Sequence, residues 1–351
     1  MIKYFNINDI DNETWNTLQS NGDNSLFTSP DWLSVIEKTY DLRIKLALSY
    51  NDQQEILAGI YFADVNFDIS TRFLISLPFS DYSKCYYQSK EYLHGLLKDI
   101  QKHENVPLIL KLAKEDVEVF NNEFIIKRDA LLHELDLSFS VDSLWNNLDS
   151  KFRNQVRKAQ KSNIVTKISH DFKDIQSFWE MHALLRKNKF SEFPQPRQFF
   201  TNIWEAYISK NKGFLLNAFL DTHLVASTLF LTEKTTAYYK FNTSNPEYLQ
   251  YCPNNLIIWN AIEHFKNTGI TALDFGLTGK AESYRGLKNF KDGTGAKIYE
   301  LKVGQLNTDK GSKSARSIKE DVISYSRELI HQDLSFDQID LFSKYFYKFF
   351  I

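Results

Sequence analysis

Cysteine, proline and glycine are all scarce in this chain. Its 351 residues include 2 cysteines, 7 prolines and 12 glycines. Cys85 and Cys252 alone cannot build a disulfide framework or supply the four ligands of a structural zinc site, so we expect a reducing compartment. The low glycine and proline content favours regular helices and strands over low-complexity sequence.

The chain also lacks a charge excess and a long apolar run. Lysine and arginine total 42, aspartate and glutamate total 44, and the formal net charge is −2. Overall charge of this kind does not attract DNA, and we predict no DNA partner. No run reaches the roughly 18 apolar residues of a membrane span, and the start, MIKYFNINDI, lacks the features of a signal peptide. We therefore predict a cytoplasmic location.

Several catalytic motifs are missing. The sequence has no Walker phosphate loop, no GxGxxG after a strand, no HExxH and no GxSxG. The histidines do not pair with cysteine at metal-binding spacing. We predict no metal site, no covalent nucleophile and no tightly bound cofactor. The remaining class of enzyme acts by placing two substrates together and stabilising charge.

What the chain does contain is ample material for a large core. Apolar residues make up 43% and aromatic residues 15%. Because domains usually run to about 100–200 residues, the length suggests two of them.

The second half shows the clearer order of elements. Two helical segments are followed by three short β-rich runs, and Asp221-Thr222 and Glu233-Lys234 suit the tight turns of an antiparallel meander. A helix at Asn254–Lys266, capped by Asn254, then leads to a buried strand at Ile270, a short helix and a strand at Lys297. The strands that flank the helix should lie parallel. This order resembles that of the GNAT acyltransferase fold.

The first half repeats the order more faintly, without sequence identity between the halves. We predict an α/β protein with two tandem GNAT-like domains, each a mixed sheet flanked by helices. The predicted domains are 1–150 and 151–305, followed by a linker and an aromatic-rich helix at 306–351. The second domain begins with a basic helix at 151–163, in which Phe152, Val156 and Ala159 form an apolar stripe.

Four segments together carry a resemblance to a known family. They are LPFSDYSKCYY from Leu77, KFRNQVRKAQKSNI from Lys151, AYYKFNTSNPEYLQYCPNNLIIWNAIEHF from Ala237, and LDFGLTGKAESYRGLKNFKDGTGAK from Leu273. This pattern resembles the FemAB-type branch of the GNAT superfamily, including members linked to polysaccharide biosynthesis.

The resemblance implies an enzyme that transfers an acyl or aminoacyl group onto an amine, in a cleft between the two domains. In the best-known members the donor is an aminoacyl-tRNA and the acceptor is a cell-wall precursor peptide. In others the donor is an acyl-CoA. The implied acceptor here is a small-molecule or lipid-linked envelope precursor, or an amino sugar, with a location at the inner face of the membrane as one option.

The resemblance also implies roles for individual residues. The family position at which a lysine serves the reacting carbonyl matches Lys291, preceded by Phe290. Asp81 and Tyr82 lie in the segment that lines the acceptor cleft, and Asp81 could accept the proton of the acceptor amine. The predicted substrate-binding residues are Phe290, Tyr82, Tyr238, Tyr239, Phe241, Asp274, Tyr284 and Arg285.

The basic helix could hold the phosphates of a tRNA 3′ end, a sugar diphosphate or a CoA, because guanidinium and ammonium groups suit phosphate. Its candidate residues are Arg153, Arg157, Lys158 and Lys161.

Each assignment has a structural alternative. Lys291 could be a solvated lysine in a polar loop, Asp81 a turn residue, and Asp274 a helix cap. The tyrosines could be ordinary sheet packing, with Tyr239 and Phe241 on one face of a strand and Tyr238 on the other. The basic residues could be a solvated helix face.

Two departures from the family leave the donor open between acyl-CoA and aminoacyl-tRNA. The helical arm of tRNA-dependent members is absent, and TSNPEYLQYCPNN replaces the usual pyrophosphate loop. The C-terminal helix could dock on the protein itself or lie on a membrane, through a face formed by Ile339, Phe342, Phe346, Phe349 and Phe350. A non-catalytic protein that binds carbohydrate or envelope precursors is the rival function.

Overall fold

A computed structural model describes residues 1–20, 25–66, 72–120, 124–306 and 312–351. These residues form two compact units. Unit 1 comprises Met1–Ala130, Glu300–Ser324 and Lys348–Ile351. Unit 2 comprises Leu131–Tyr299 and Tyr325–Tyr347.

The described residues include the helices and strands that the sequence predicts for the second half of the chain, and further elements that it does not predict, among them the strands Ile2–Asn6 and Ile164–Ser169. The strands are β1 Ile2–Asn6, β2 Ile44–Tyr50, β3 Ile56–Asn66, β4 Arg72–Ile75, β5 Tyr86–Tyr87, β6 Leu108–Lys111, β7 Phe124–Asp136, β8 Ile164–Ser169, β9 Gly213–Leu220, β10 His223–Glu233, β11 Thr236–Ser244, β12 Ala272–Gly279 and β13 Lys297–Leu306. The α-helices are α1 Asn12–Ser20, α2 Pro30–Tyr40, α3 Lys90–Glu104, α4 Val141–Asn147, α5 Ser150–Lys161, α6 Phe172–Leu185, α7 Arg197–Ala206, α8 Pro253–Asn267, α9 Arg285–Asp292, α10 Ser312–Leu329 and α11 Phe336–Phe346.

Unit 1 is a mixed sheet. Strands β1, β2, β3 and β4 are joined in antiparallel pairs. Strand β6 lies parallel to β4, and the crossover between them contains α3. Helix α3 buries Leu93, Leu96, Leu97 and Ile100 in the core of this unit. Their spacing of three and four residues is that of one helical face, which explains why this segment forms an amphipathic helix.

Unit 2 is built around the predicted meander. Strands β8, β9, β10 and β11 are antiparallel neighbours. Strand β12 then pairs in parallel with β11, as predicted for strands joined by a helical crossover, here α8. Helices α5 and α8 pack against each other, and their apolar residues share one core cluster with the sheet.

Helix α5 forms where the sequence predicts the basic helix. Asp149 caps its N-terminus by accepting a hydrogen bond from the main-chain N–H of Phe152. The predicted apolar stripe of Phe152, Val156 and Ala159 is buried.

The C-terminal helix α11 docks on unit 2. Ile339 is buried, Phe336 packs on Trp179 of α6, and Phe342 and Phe346 pack on Phe193. Docking on the protein itself is therefore confirmed for this helix.

Two local predictions differ from the structure. The residue that caps α8 is Cys252, which adopts a left-handed conformation, and Asn254 lies inside the first turn. There the Asn254 amide group bonds Asn242 and Ser244 on β11. The predicted linker after Val303 falls on the end of β13, on residues 307–311, which lie outside the described residues, and on the start of α10.

Two glycines give a matched test of the packing. A Cβ atom at Gly213 would lie 2.6 Å from the carbonyl oxygen of Phe230, which belongs to the backbone of β10 and cannot rotate away. A Cβ atom at Gly95, on the exposed side of α3, meets nothing within 4 Å. In urea unfolding we expect Gly213→Ala to lose about 1–3 kcal/mol and Gly95→Ala to gain about 0.5–1 kcal/mol. Equal effects of the two substitutions would contradict the described packing of β9 on β10.

Candidate functional site

The parallel strands β11 and β12 separate after a short common stretch. Their pairing covers Thr236–Tyr238 of β11 and Ala272–Asp274 of β12. The strands then continue to Ser244 and Gly279 without a common register. We call the two separated segments, 239–244 and 275–279, the β11–β12 wedge. Carboxyl ends of parallel strands are frequent ligand sites in mixed α/β sheets, because main-chain groups converge there.

An irregularity bends each strand at the wedge. In β11 the register with β10 shifts, so that Tyr239 faces Phe230 and Phe241 faces Leu229, and Lys240 is the extra residue of a β-bulge. In β12 Gly276 has a φ of 69°, a conformation that favours glycine. The carboxylate of Asp274 accepts a 2.6 Å hydrogen bond from the N–H of Gly276 and stabilises this turn.

The β-bulge changes which side chains share a face of β11. Tyr239 packs on Phe230 and Phe275, whereas Phe241 packs on Phe199 and Phe200 of α7. The prediction that Tyr239 and Phe241 share a face is therefore wrong, because the extra residue reverses the alternation between them. Burial raises the pKa of Tyr239, which keeps its phenol protonated.

Lys291 lies at the end of α9 and points into the protein. Its side chain is buried, and Nζ donates hydrogen bonds of 3.0 Å to the carbonyl oxygen of Gly276 and 2.9 Å to that of Leu277. The alternative of a solvated lysine in a loop is wrong. The turn at Gly276 thus positions an ammonium group at the β12 side of the wedge.

Four other predicted substrate-binding residues also belong to unit 2. Phe290 packs on Phe152 of α5, and Asp274 is buried in β12. The ring of Tyr284 lies against Gly279, the last residue of β12, so that a Cβ atom there would approach it to 2.7 Å. Arg285 is exposed and pairs with Glu282 at 2.6 Å.

The four basic residues of α5 that were predicted to bind phosphate fall into two groups. Arg153 donates from Nη1 to the carbonyl oxygens of Asn146, at 2.8 Å, and of Leu148, at the end of α4. Its guanidinium therefore caps the last carbonyl groups of that helix. Arg157 is exposed and lies over the ring of Trp145, 5.3 Å from its centroid. Lys158 and Lys161 are exposed on the last turn of α5.

Asp81 and Tyr82 belong to unit 1, in the loop between β4 and β5. The ring of Tyr82 meets Phe27 edge-on at 4.9 Å, and Asp81 is half-buried. Leu77 and Phe79 have φ values of 41° and 57°, which are strained for bulky residues.

Three side chains hold this strained loop. Trp32 Nε1 donates to Ser80 Oγ at 2.9 Å, and Lys111 Nζ donates to the Ser80 carbonyl at 2.8 Å. Asp116 accepts from the N–H of Cys85 at 2.9 Å. The loop is therefore fixed in one conformation, which suits a rigid binding surface.

Gly276 and His133 contribute to the unit 2 site, and neither is among the predicted site residues. The signal for Gly276 is an isolated glycine inside a β-rich run, which indicates a bulge or a close approach. The signal for His133 is a histidine inside the apolar strand ALLHELDL. Neither signal identifies the partner of the residue.

The described residues contain no group of three or more His, Cys, Asp or Glu side chains that could hold a metal ion. Among the helices of the same described part of the chain, none has the length and apolar character of a membrane span.

Comparisons with known proteins agree on the fold. Residues 147–292 match the family described as an acetyltransferase (GNAT) domain. A search of curated protein sequences gives no match. The solved structure of FemX aligns over 86% of this chain and 96% of its own, with a TM-score of 0.63 and 14% identity.

Two further solved structures have the same fold. The C-terminal domain of a putative lysylphosphatidylglycerol synthetase from Agrobacterium fabrum covers 84% of this chain and 92% of its own, with a TM-score of 0.55 and 10% identity. A tandem GNAT protein from the clavulanic acid biosynthesis pathway covers 89% of this chain and 100% of its own, with a TM-score of 0.54 and 10% identity. The prediction of a tandem GNAT fold is confirmed.

The two groups of basic residues on α5 can be separated experimentally. Arg153→Gln removes the guanidinium from the carbonyls at the end of α4, and we expect a loss of about 1–3 kcal/mol in the free energy of unfolding. The matched variant Arg157→Gln removes only an exposed guanidinium over the ring of Trp145 and should lose no more than about 1 kcal/mol. Urea unfolding measures the free energy of unfolding of both variants. A larger loss for Arg157→Gln than for Arg153→Gln would contradict the role of Arg153 at the end of α4.

Asp116 predicts a pH dependence of stability in unit 1. Burial raises the pKa of its carboxyl to about 6. Because the folded protein holds this proton more tightly than the unfolded chain, the stabilisation is complete below about pH 3.8 and is lost as the pH rises through about 6. Relative to Asp116→Asn, the parent should lose about 2.5 kcal/mol between pH 4 and pH 8. Unfolding curves that stay parallel across this range would contradict the raised pKa.

Proposed function

We propose that this chain, in which residues 147–292 match a GNAT acetyltransferase domain, transfers an acyl or aminoacyl group from a thioester or ester donor to an amine. The acceptor would be a cell-envelope precursor or an amino sugar.

The observation that carries the proposal is the buried ammonium of Lys291 beside the β11–β12 wedge. Its two carbonyl partners, on Gly276 and Leu277, hold it at the edge of a strand that has separated from its neighbour. A positive charge fixed in a buried site stabilises a developing oxyanion more than a neutral carbonyl, and so accelerates acyl transfer.

The proposed reaction is a direct displacement. The nitrogen of the acceptor amine attacks the donor carbonyl carbon, and the carbonyl oxygen gains negative charge beside Lys291. The bond from carbon to the thiol sulfur or ester oxygen then breaks, the amine nitrogen loses a proton, and the leaving group takes one up. This route needs no covalent enzyme intermediate.

The separated strands suit a donor with an amide-containing arm. Such an arm can lie along a strand and exchange main-chain hydrogen bonds with it, as an added strand does. An acyl-CoA has an arm of this kind. An aminoacyl-tRNA would instead need phosphate contacts, for which exposed Arg157, Lys158 and Lys161 are the candidates. Both donors remain open, as do a membrane-side location and a lipid-linked acceptor.

The acceptor class rests on similarity of fold. The name of one structural neighbour, lysylphosphatidylglycerol synthetase, indicates a lipid product that carries lysine. Recognition of the acceptor by Asp81 and Tyr82, and its placement in a cleft between the domains, remain predictions from the family resemblance.

A parallel assay separates the two donors. Purified protein is incubated with radiolabelled acetyl-CoA or with lysyl-tRNA, and with amino-sugar nucleotides or envelope precursor peptides as acceptors. Transfer that survives nuclease treatment and requires the thioester selects acyl-CoA, and transfer abolished by nuclease selects tRNA. Acceptor binding without any transfer would support the rival, a binding protein of the same fold.

Lys291→Met tests the catalytic role in the same assay. Methionine retains the length of the side chain but removes the charge, and we expect kcat to fall by about 10²–10³-fold, because an oxyanion stabiliser is lost. The control Lys173→Met, on the exposed surface of α6, should retain full activity. Circular dichroism checks the fold of both variants. Turnover by a folded Lys291→Met protein at the parent rate would exclude the proposed mechanism.

A further inference from the structure

Helix α9, which carries Lys291, has few contacts of its own. It is eight residues long, Arg285, Gly286, Leu287 and Asn289 are exposed, and Lys288 is half-buried. A helix this short is not stable in isolation. Its position must therefore come from its last turn, where Phe290, Lys291 and Asp292 meet the rest of unit 2.

Asp292 is an unusual residue for the last turn of a helix. Asp292 lies at the C-terminal end of α9, where the helix dipole disfavours a negative charge. Burial raises its pKa, but hydrogen bonds from Lys288 and His133 outweigh this effect, and the net pKa of Asp292 is lowered. The carboxylate therefore stays ionised because two partners bind it.

The inner partner is His133 on β7, a strand that neighbours β12. His133 Nε2 lies 2.9 Å from Asp292 Oδ1, and the imidazole is completely buried. Burial lowers the pKa of His133, the contact with Asp292 raises it, the nearby ammonium of Lys291 lowers it, and the net pKa of His133 is lowered. A neutral imidazole next to an ionised carboxylate must carry its proton on Nε2, which leaves Nδ1 as an acceptor.

Nδ1 of His133 is buried and has no hydrogen-bond partner within the part of the chain that the structure describes. An unpaired buried polar atom is unfavourable, so an apolar ring would pack better at this position. What an apolar ring cannot supply is the N–H donor to Asp292. A lysine or arginine could supply it, but would add a second cation close to Lys291.

We infer that His133 is a positioning residue for the proposed acyl transfer: through Asp292 it fixes the last turn of α9, and thereby holds the Lys291 ammonium at the carbonyls of Gly276 and Leu277. The inference rests on the proposed function for its catalytic consequence. The contact from His133 to Asp292 and the burial of Lys291 do not depend on it.

The test combines a chemical and a kinetic measurement. Intact protein is treated with an amine-acetylating reagent, and mass spectrometry follows the rate of labelling at Lys291. Steady-state kinetics with the donor that the parallel assay selects gives kcat and KM. The variants are His133→Met, which has no donor, and His133→Gln, whose amide N–H can replace Nε2–H.

His182→Met is the matched control. His182 is also a buried histidine of unit 2, its Nε2 lies 2.9 Å from Gln195 Oε1, and its Nδ1 also has no partner among the described residues. It lies on α6 and packs on Phe241 of β11, so it serves as a control for the labelling of Lys291 and not for kcat.

We expect His133→Met to label at Lys291 about tenfold faster than the parent, because the last turn of α9 is released. Its kcat should fall about 10–10²-fold with KM within about threefold, because a misplaced group slows the chemical step more than binding. His133→Gln should restore both values to within about threefold, and His182→Met should leave the labelling rate near that of the parent.

Failures of the two proposals can be told apart. If Lys291 labels faster in His133→Met but the parent transfers nothing from either donor, the proposed function fails and the positioning contact stands. If the parent is active and His133→Met matches it in labelling and kcat, the inference about His133 is overturned. Equally fast labelling of Lys291 in His133→Met and His182→Met would also overturn it, because it would indicate a general effect of stability.

Discussion

The contact between the Lys291 ammonium and the carbonyls of Gly276 and Leu277 is the constraint on which the candidate site depends. It buries a charged side chain in unit 2, and it places that charge where β12 has left the register of β11. Burial of an ammonium is tolerated only when its hydrogens are bonded, so the turn of β12 and the end of α9 must form together. The same turn of β12 therefore shapes unit 2 and positions the ammonium group on which the proposed chemistry depends.

Irregular backbone creates that geometry. A regular parallel pair would satisfy its main-chain groups along its whole length and leave no space for a ligand. The bulge at Lys240 and the left-handed Gly276 interrupt the pairing on the two strands at neighbouring positions. Bulges and strained residues recur next to functional sites, because they redirect side chains and release main-chain groups. In unit 1 the strained Leu77 and Phe79 have the same character, beside the predicted acceptor residues Asp81 and Tyr82.

The sequence predicted the elements well because their signals are local. Turn residues such as Asp221-Thr222 define the meander, and the spacing of Phe152, Val156 and Ala159 defines α5. What depends on distant contacts was not predictable. The extra residue in β11 reversed the faces of Tyr239 and Phe241, and Arg153 proved to terminate α4. The partner of His133 lies far along the chain, on α9. The choice of donor, the acceptor and the cytoplasmic location remain predictions.

The most direct test of the account compares the binding of a transition-state analogue with that of a ground-state analogue. Calorimetry would measure the affinity of a phosphonate analogue of the donor, in which a tetrahedral, anionic phosphorus replaces the reacting carbonyl carbon, and of an uncharged thioether analogue of the same donor, for the parent and for Lys291→Met. The account predicts that the variant loses roughly 10²-fold in affinity for the phosphonate and less than about threefold for the thioether, because the ammonium acts on the developing charge. Equal losses for both ligands, or no loss for the phosphonate, would contradict it.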